Sequence, residues 1–247
     1  PKELAPEKVH LTKVPTAPLP KKVALSLKSF ERVKFKLLVA AGETVTLGQP
    51  LVEDKARPGC CFVAPASGVV SEIRRGEKRR LLDIVIETVE TPPANPPPLK
   101  NLDVGSASVE EIKERLKVGG AFAYIRSRPF NLLANPERLP RSIFVKALES
   151  APFIPPAEVQ VQGHDEAFLN GLRTLKRLCP EVHVVHYAHT SFKPFADNKE
   201  VHVHTASGPH PIANASLHID LIDPITSSED LIWTLNAYDV LYIGYLM

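Results

Sequence analysis

The chemistry available to this chain sits mainly in its histidines, its arginine-rich segments and one glycine pair. His183, His186 and His189 recur every third residue, and His202 and His204 are two apart. A metal site needs ligands that converge to ~2 Å from one point. In an extended chain a spacing of three puts His183 and His186 on opposite faces. No Cys-x-x-Cys or His-Glu-x-x-His pattern adds ligands, so structural or surface histidines and no metal are expected. His210, between Pro209 and Pro211, suits a rigid turn. Ser67, Ser127 and Ser207 can be matched with histidines on paper, but no Gly-x-Ser-x-Gly elbow is present and no catalytic residue is assigned. Gly119-Gly120 is the one glycine pair. Cradling a phosphate takes several converging amides free of side chains. Ala121, Phe122 and Ala123 fill the positions where further glycines are needed, so a flavin or dinucleotide phosphate finds little room there. Arg74-Arg75-Gly76-Glu77-Lys78-Arg79-Arg80 gathers cations around a glycine. Solvated hairpin charges explain it best; docking on an acidic or lipid-facing partner is the alternative.

Around these residues the pattern predicts two units. Residues 1–21 carry five prolines and read as an extended arm. Across 22–90, short apolar runs at 35–39, 45–47, 51–52, 62–63, 69–73 and 81–86 are cut by glycine turns, as in a compact all-β unit. The proline-rich stretch 91–104 reads as a linker. From 105 to 247, helix and strand signals alternate. Ser108-Val109-Glu110-Glu111 is a capping box for a helix ending at Gly119. Residues 142–147, 158–162, 182–187, 200–205 and 232–235 read as strands. Asp165 is placed as the cap of a helix striped by Phe168, Leu172 and Leu175, and Asn236 as the cap of a last helix. The expected fold is mixed α/β, an all-β unit followed by an α/β unit with a partly parallel sheet covered on both faces.

Composition narrows the classes. Proline, 24 of 247 residues, excludes a bundle of long uninterrupted helices. A net charge of +2 is too near balance for a nucleic-acid-binding field. Three cysteines, two of them adjacent, fit a reducing compartment rather than a disulfide scaffold. No run approaches the ~18 apolar residues of a membrane span, and the apolar carboxyl end suggests a piece of a longer protein.

The segment 42–56, ending Glu53-Asp54-Lys55-Ala56, followed by Ala64-Pro65-Ala66-Ser67-Gly68, resembles a biotinyl/lipoyl-type barrel-sandwich domain. In such carriers a lysine at a hairpin tip bears the prosthetic group, and Lys55 is its counterpart. Here residues 57–63 lengthen the loop, which favours the fold without the group. The runs 51–59 and 64–68, with Arg75-Gly76-Glu77-Lys78-Arg79, Arg126-Ser127-Arg128-Pro129-Phe130, Gly208-Pro209-His210-Pro211, His218, Trp233-Thr234-Leu235-Asn236 and Asp239-Val240, resemble the NqrA family of subunits from the sodium-translocating NADH:quinone oxidoreductases.

That resemblance implies a barrel-sandwich domain and then a Rossmann-like domain akin to the flavin-carrying subunit of respiratory complex I, whose flavin loop is degenerate here at Gly119 and Gly120. It further implies a peripheral subunit on the cytoplasmic side of the bacterial inner membrane, partnered by membrane-embedded subunits. Flavins, iron–sulfur centres and NADH would belong to other subunits. Ubiquinone would be the substrate of the whole, and this chain alone would be inactive. Candidate quinone contacts, again by resemblance, are Ser26, Phe30 and Val33 in one segment and Arg126, Arg128 and Phe130 in another. An arginine donor beside an aromatic face suits a flat ring with two carbonyl acceptors. The alternative is that both arginines pair with carboxylates and Phe130 fills core. A purely structural assembly role and a carrier modified at Lys55 complete the alternatives.

Overall fold

The computed structural model describes residues 18–30, 32–89 and 101–247. Most of the arm and of the proline-rich stretch, with Glu31, lies outside the described residues. Among the described residues the first unit holds seven strands: β1 (Lys22–Ser26), β2 (Phe35–Leu37), β3 (Thr44–Val45), β4 (Pro50–Asp54), β5 (Cys61–Val63), β6 (Gly68–Arg75) and β7 (Leu81–Thr88). They form a four-stranded sheet, β1-β7-β6-β3, and a three-stranded sheet, β2-β4-β5. Leu27, Val45, Leu51, Phe62, Ile84 and Ile86 fill the space enclosed. All six expected strand segments are present. The apolar runs do not predict β1, because its alternating burial is shallow and it joins the sheet only through its antiparallel ladder with β7.

The second unit contains α1 (Val109–Val118), β8 (Arg126–Arg128), β9 (Leu132–Leu133), β10 (Ser142–Ala147), α2 (Ala157–Val161), α3 (Asp165–Leu178), β11 (Val182–Tyr187), α4 (Lys193–Ala196), β12 (His202–Ala206), α5 (Ala215–Ile222), β13 (Ile232–Asn236) and α6 (Ala237–Leu246). Its sheet runs β12-β11-β10-β13-β8-β9. The first four strands are parallel, and β8 and β9 extend the sheet antiparallel. The chain thus steps outward from β10 through β11 to β12 and returns to the other side of β10 as β13. This is the strand order of a Rossmann-type half, with a crevice where the direction reverses.

Local signals account for most elements. Ser108 Oγ accepts from the Glu111 N–H at 3.2 Å and Glu111 returns a carboxylate to the Ser108 N–H at 2.8 Å, which starts α1. The stripe Phe168, Leu172, Leu175 is buried beneath α3, as expected. The helix begins at Asp165 itself, with His164 in the cap position, so Asp165 serves the first-turn dipole rather than the cap. Residues 158–162 are not a strand but part of α2. Pro156 presets the helical entry, and buried Ala157 and Val161 are spaced one turn apart, a pattern that five residues cannot separate from alternation. The expected linker also ends sooner than 104. Leu102 and Val104 pack into the second core, and the Leu102 N–H donates to the Met247 carbonyl at 2.6 Å.

Helices α3 and α6 touch backbone to backbone. A methyl on Gly244 would stand 1.7 Å from the Ala167 carbonyl oxygen, and one on Gly171 would stand 2.0 Å from that of Val240. The two units also share their interiors: Ala123 and Leu133 pack into the barrel core and Cys60 into the α/β core.

Candidate functional site

The site grows from two segments that meet between the units. After β1, buried Leu27 anchors a loop in which the Phe30 N–H donates to the Leu27 carbonyl and the Val33 N–H to that of Phe30. Phe30 stands edge-on to Phe62, ring centres 4.9 Å apart, so the barrel core fixes its ring. From the other unit, β8 presents Arg126 and Arg128 on one side, two residues apart. Arg126 Cζ lies 5.5 Å from the centre of the Phe30 ring. In the β8–β9 turn the Arg128–Pro129 peptide is cis, Asn131 has φ +53°, and Phe130 is 66% exposed.

The result is a cleft of about 840 Å³ lined by Phe30, Val33, Arg57, Arg126, Phe130 and Leu133, among others. Arg57 is ion-paired with Asp54 and donates to the Ala134 carbonyl at 3.1 Å, tying the units together at the cleft floor. Burial lowers the Arg126 guanidinium pKa from its usual value, and nearby Asp239 opposes that shift. Among the described residues no carboxylate oxygen lies within salt-bridge distance of Arg126 or Arg128. The reading in which both arginines pair with carboxylates and Phe130 fills core is therefore overturned.

Four of the six candidate residues, Phe30, Val33, Arg126 and Phe130, converge on this cleft. Ser26 does not line it; it lies in β1 opposite Asp83. Arg128 turns instead into an adjoining cleft beyond Arg126. Arg57, in a run that carries the family resemblance, and Lys146, in an expected strand, are not marked by the sequence as site residues, because each reaches its cleft only through the fold.

The glycine pair is covered by the protein itself. Gly119 ends α1, and a methyl there would meet the Leu246 side chain at 2.7 Å. Gly120, at φ +80°, faces Val63 and the Cys61 carbonyl of β5. Beyond it, residues 121–123 form a buried single turn with Phe122 edge-on to Trp233. Lys55 is exposed in the loop between β4 and β5.

The histidines fall apart as a group. His183 Nδ1 and His204 Nε2 are 3.0 Å apart, and His183 stacks on Phe144 and on His202. His186 bonds the Tyr187 backbone, His218 donates Nε2–H to the Ile212 carbonyl, and His210 reaches Ser150 Oγ. Burial first, then the neighbouring His204 and His202, bring the His183 pKa down to about 4. Among the described residues no set of three His, Cys, Asp or Glu side chains converges to hold a metal ion. The basic hairpin between β6 and β7 is exposed, with Arg74 paired to Glu72 at 2.9 Å and Arg80 donating to the Lys28 carbonyl. No described helix is long and apolar enough to cross a membrane.

Comparison with known proteins matches these two units in order. A family model described as the NqrA N-terminal barrel-sandwich hybrid domain covers residues 6–89, and one described as the NqrA second alpha/beta domain covers 107–247. The chain is 36% identical, over 92% of its length, to the NqrA subunit of the Na(+)-translocating NADH-quinone reductase of Chlamydia caviae, covering 49% of that protein. It is 35% identical over 92% of its length to the same subunit from Histophilus somni, covering 50% of it. The corresponding figures for Yersinia pseudotuberculosis are 34%, 91% and 50%. The chain spans about half the length of the curated relatives it matches. Fold order, motif order and these matches agree: the chain belongs to the NqrA family of Na(+)-translocating NADH-quinone reductase subunits.

Proposed function

We propose that this chain is the quinone-contacting and docking part of a peripheral subunit in a sodium-translocating NADH:quinone reductase, and that it carries no redox group itself. The observation that carries the reading is Arg126 held over Phe30, without a carboxylate partner among the described residues, in a cleft that exposed Phe130 borders. A quinone ring offers a flat apolar face to Phe130 and a carbonyl acceptor to the guanidinium. The donor strengthens as negative charge builds on that oxygen during reduction, so Arg126 binds the reduced forms better than the oxidised one. Electrons come from flavins and iron–sulfur centres on partner subunits. Support for that division is the glycine pair, whose upper side is filled by β5 and Leu246. The subunit sits on the cytoplasmic face of the membrane against membrane-embedded partners, and exposed Phe130 and Leu132 give it apolar surface to bury there.

Titration with ubiquinone-1, read as thermal stabilisation, tests the quinone role. A saturable rise in melting temperature is expected, with Phe130→Ala and Arg126→Met each weakening the apparent affinity roughly tenfold. No saturable shift, or equal shifts in all three proteins, would leave a purely structural role in assembly as the reading. Stoichiometric FMN in the purified chain would sink the claim that it carries no redox group.

A further inference from the structure

The sheet face beside Phe30 carries two arginines, Arg126 and Arg128, with no carboxylate partner among the described residues. Arg126 and Arg128 are both half-buried, and each guanidinium pKa is lowered by burial; at Arg128 the neighbouring Arg126 adds to the shift. Arg128 Nη1 donates to Ser216 Oγ at 3.1 Å, while its buried Nε finds no acceptor among the described residues. Ser216 lies in the first turn of α5, whose cap is Asn214, so the guanidinium rests against the positive end of a helix. Like charges set together and partly stripped of water are unfavourable unless an anion joins them.

The space they border is a cleft of about 540 Å³, within the size range of small-molecule sites, ~300–1,000 Å³. It opens at the carboxyl ends of β10 and β13, where the strand order reverses and where α/β sheets bind their ligands. The other charged groups on its walls are already engaged. Lys146 pairs with Glu149 at 2.8 Å. Asp239 accepts from the Asn236 N–H at 2.8 Å and from its side-chain amide at 3.0 Å, capping α6. Among the described residues the two arginines alone on these walls lack a carboxylate partner or a capping role. Phe30 and Tyr124 supply flat apolar surface beside them.

The geometry points to a binding site for a phosphate monoester in this cleft, the phosphoryl group seated between Arg128, Arg126 and the start of α5 and the body of the molecule against Phe30 and Tyr124. A dianion with three acceptor oxygens matches two guanidiniums and a helix end better than a carboxylate, which offers one charge and two oxygens. The site adjoins the quinone cleft and shares Arg126 and Phe30 with it, whereas Arg128 lines only this one.

Isothermal titration of the 247-residue chain with inorganic phosphate and with AMP tests it. Saturable binding of both is expected, tighter for AMP, with Arg128→Gln weakening each about tenfold. Arg173→Gln removes the same charge from an exposed pair with Glu200 and should leave both unchanged. Equal affinity for AMP and phosphate would assign the site to free phosphate, with the same cradle. Absence of saturable heat up to ~10 mM, weaker than any specific site of this size, or equal loss in both variants, would overturn the proposal. Should Arg128→Gln fail to fold, crystals of the unaltered chain grown with tungstate decide instead. Tungstate bonded to the Arg128 guanidinium inside the cleft supports the site, and tungstate elsewhere or nowhere refutes it.

Discussion

The two faces of the six-stranded sheet have opposite characters. One presents Ile143, Val145, Val184, Trp233 and Leu235 to the helices α1, α3 and α6, and every one of these side chains is buried. The other presents Lys146, His183, His204, Arg126 and Arg128 around a small apolar cluster of Phe144, Val185, Ile219 and Ile232. The strands are the same; the difference is what each face is left to do. The dry face fixes the positions of the strands, and the polar face uses those positions to hold charge that would not stay partly desolvated on a softer scaffold. Stability and binding are thus divided across a single sheet.

That division can be broken on either side. The largest effect belongs to the dry face: Gly244→Ala drives a methyl into the Ala167 carbonyl and should lower unfolding free energy by about 3 kcal/mol or more, read by urea denaturation. Next is His183 on the polar face. Its folded pKa, about 4, lies below its free value of 6.5, so the folded state favours the neutral ring. Stability from this group is complete above about pH 6.5 and is lost as pH falls towards 4, by at most about 3 kcal/mol. A His183→Leu variant should flatten that acid limb of the stability curve, and an unchanged limb would show the neutral ring is not responsible. Ser108→Ala, removing the cap of α1 over the dry face, should cost about 1 kcal/mol in the same denaturation assay. The smallest effect has the opposite sign. Arg126→Met keeps the contact with Phe30 but removes a half-buried cation that has no carboxylate partner among the described residues, and should raise stability by about 0.5–1 kcal/mol while quinone affinity falls. A loss of stability there would mean the two faces are not divided as argued.

The dry face is also the legible one. Ser108 with Glu111, the run at 142–147 and the stripe from Phe168 to Leu175 announce their elements because each depends on neighbours within one or two turns. Where two periods fit a short segment, as at 158–162, the pattern points to the wrong element. The polar face is half legible. Arg126, Arg128 and Phe130 stand out in sequence, yet only Arg126 borders both clefts, Phe130 borders the first, Arg128 the second, and Ser26 neither. Phe30 meets Arg126, and Arg57 meets Ala134, across the junction of two units. No local pattern encodes such meetings; they follow from how the barrel sits on the sheet.

The interlocking interiors described above have a thermodynamic corollary. Because Ala123 and Leu133 complete the barrel while Cys60 completes its neighbour, neither half can melt without opening a hole in the other. Scanning calorimetry should therefore record one endotherm, and a nick in the covalent tether between the halves should leave them associated. A gap whose walls are bolted together this way cannot close on its guest like a jaw, so it must discriminate by preset width.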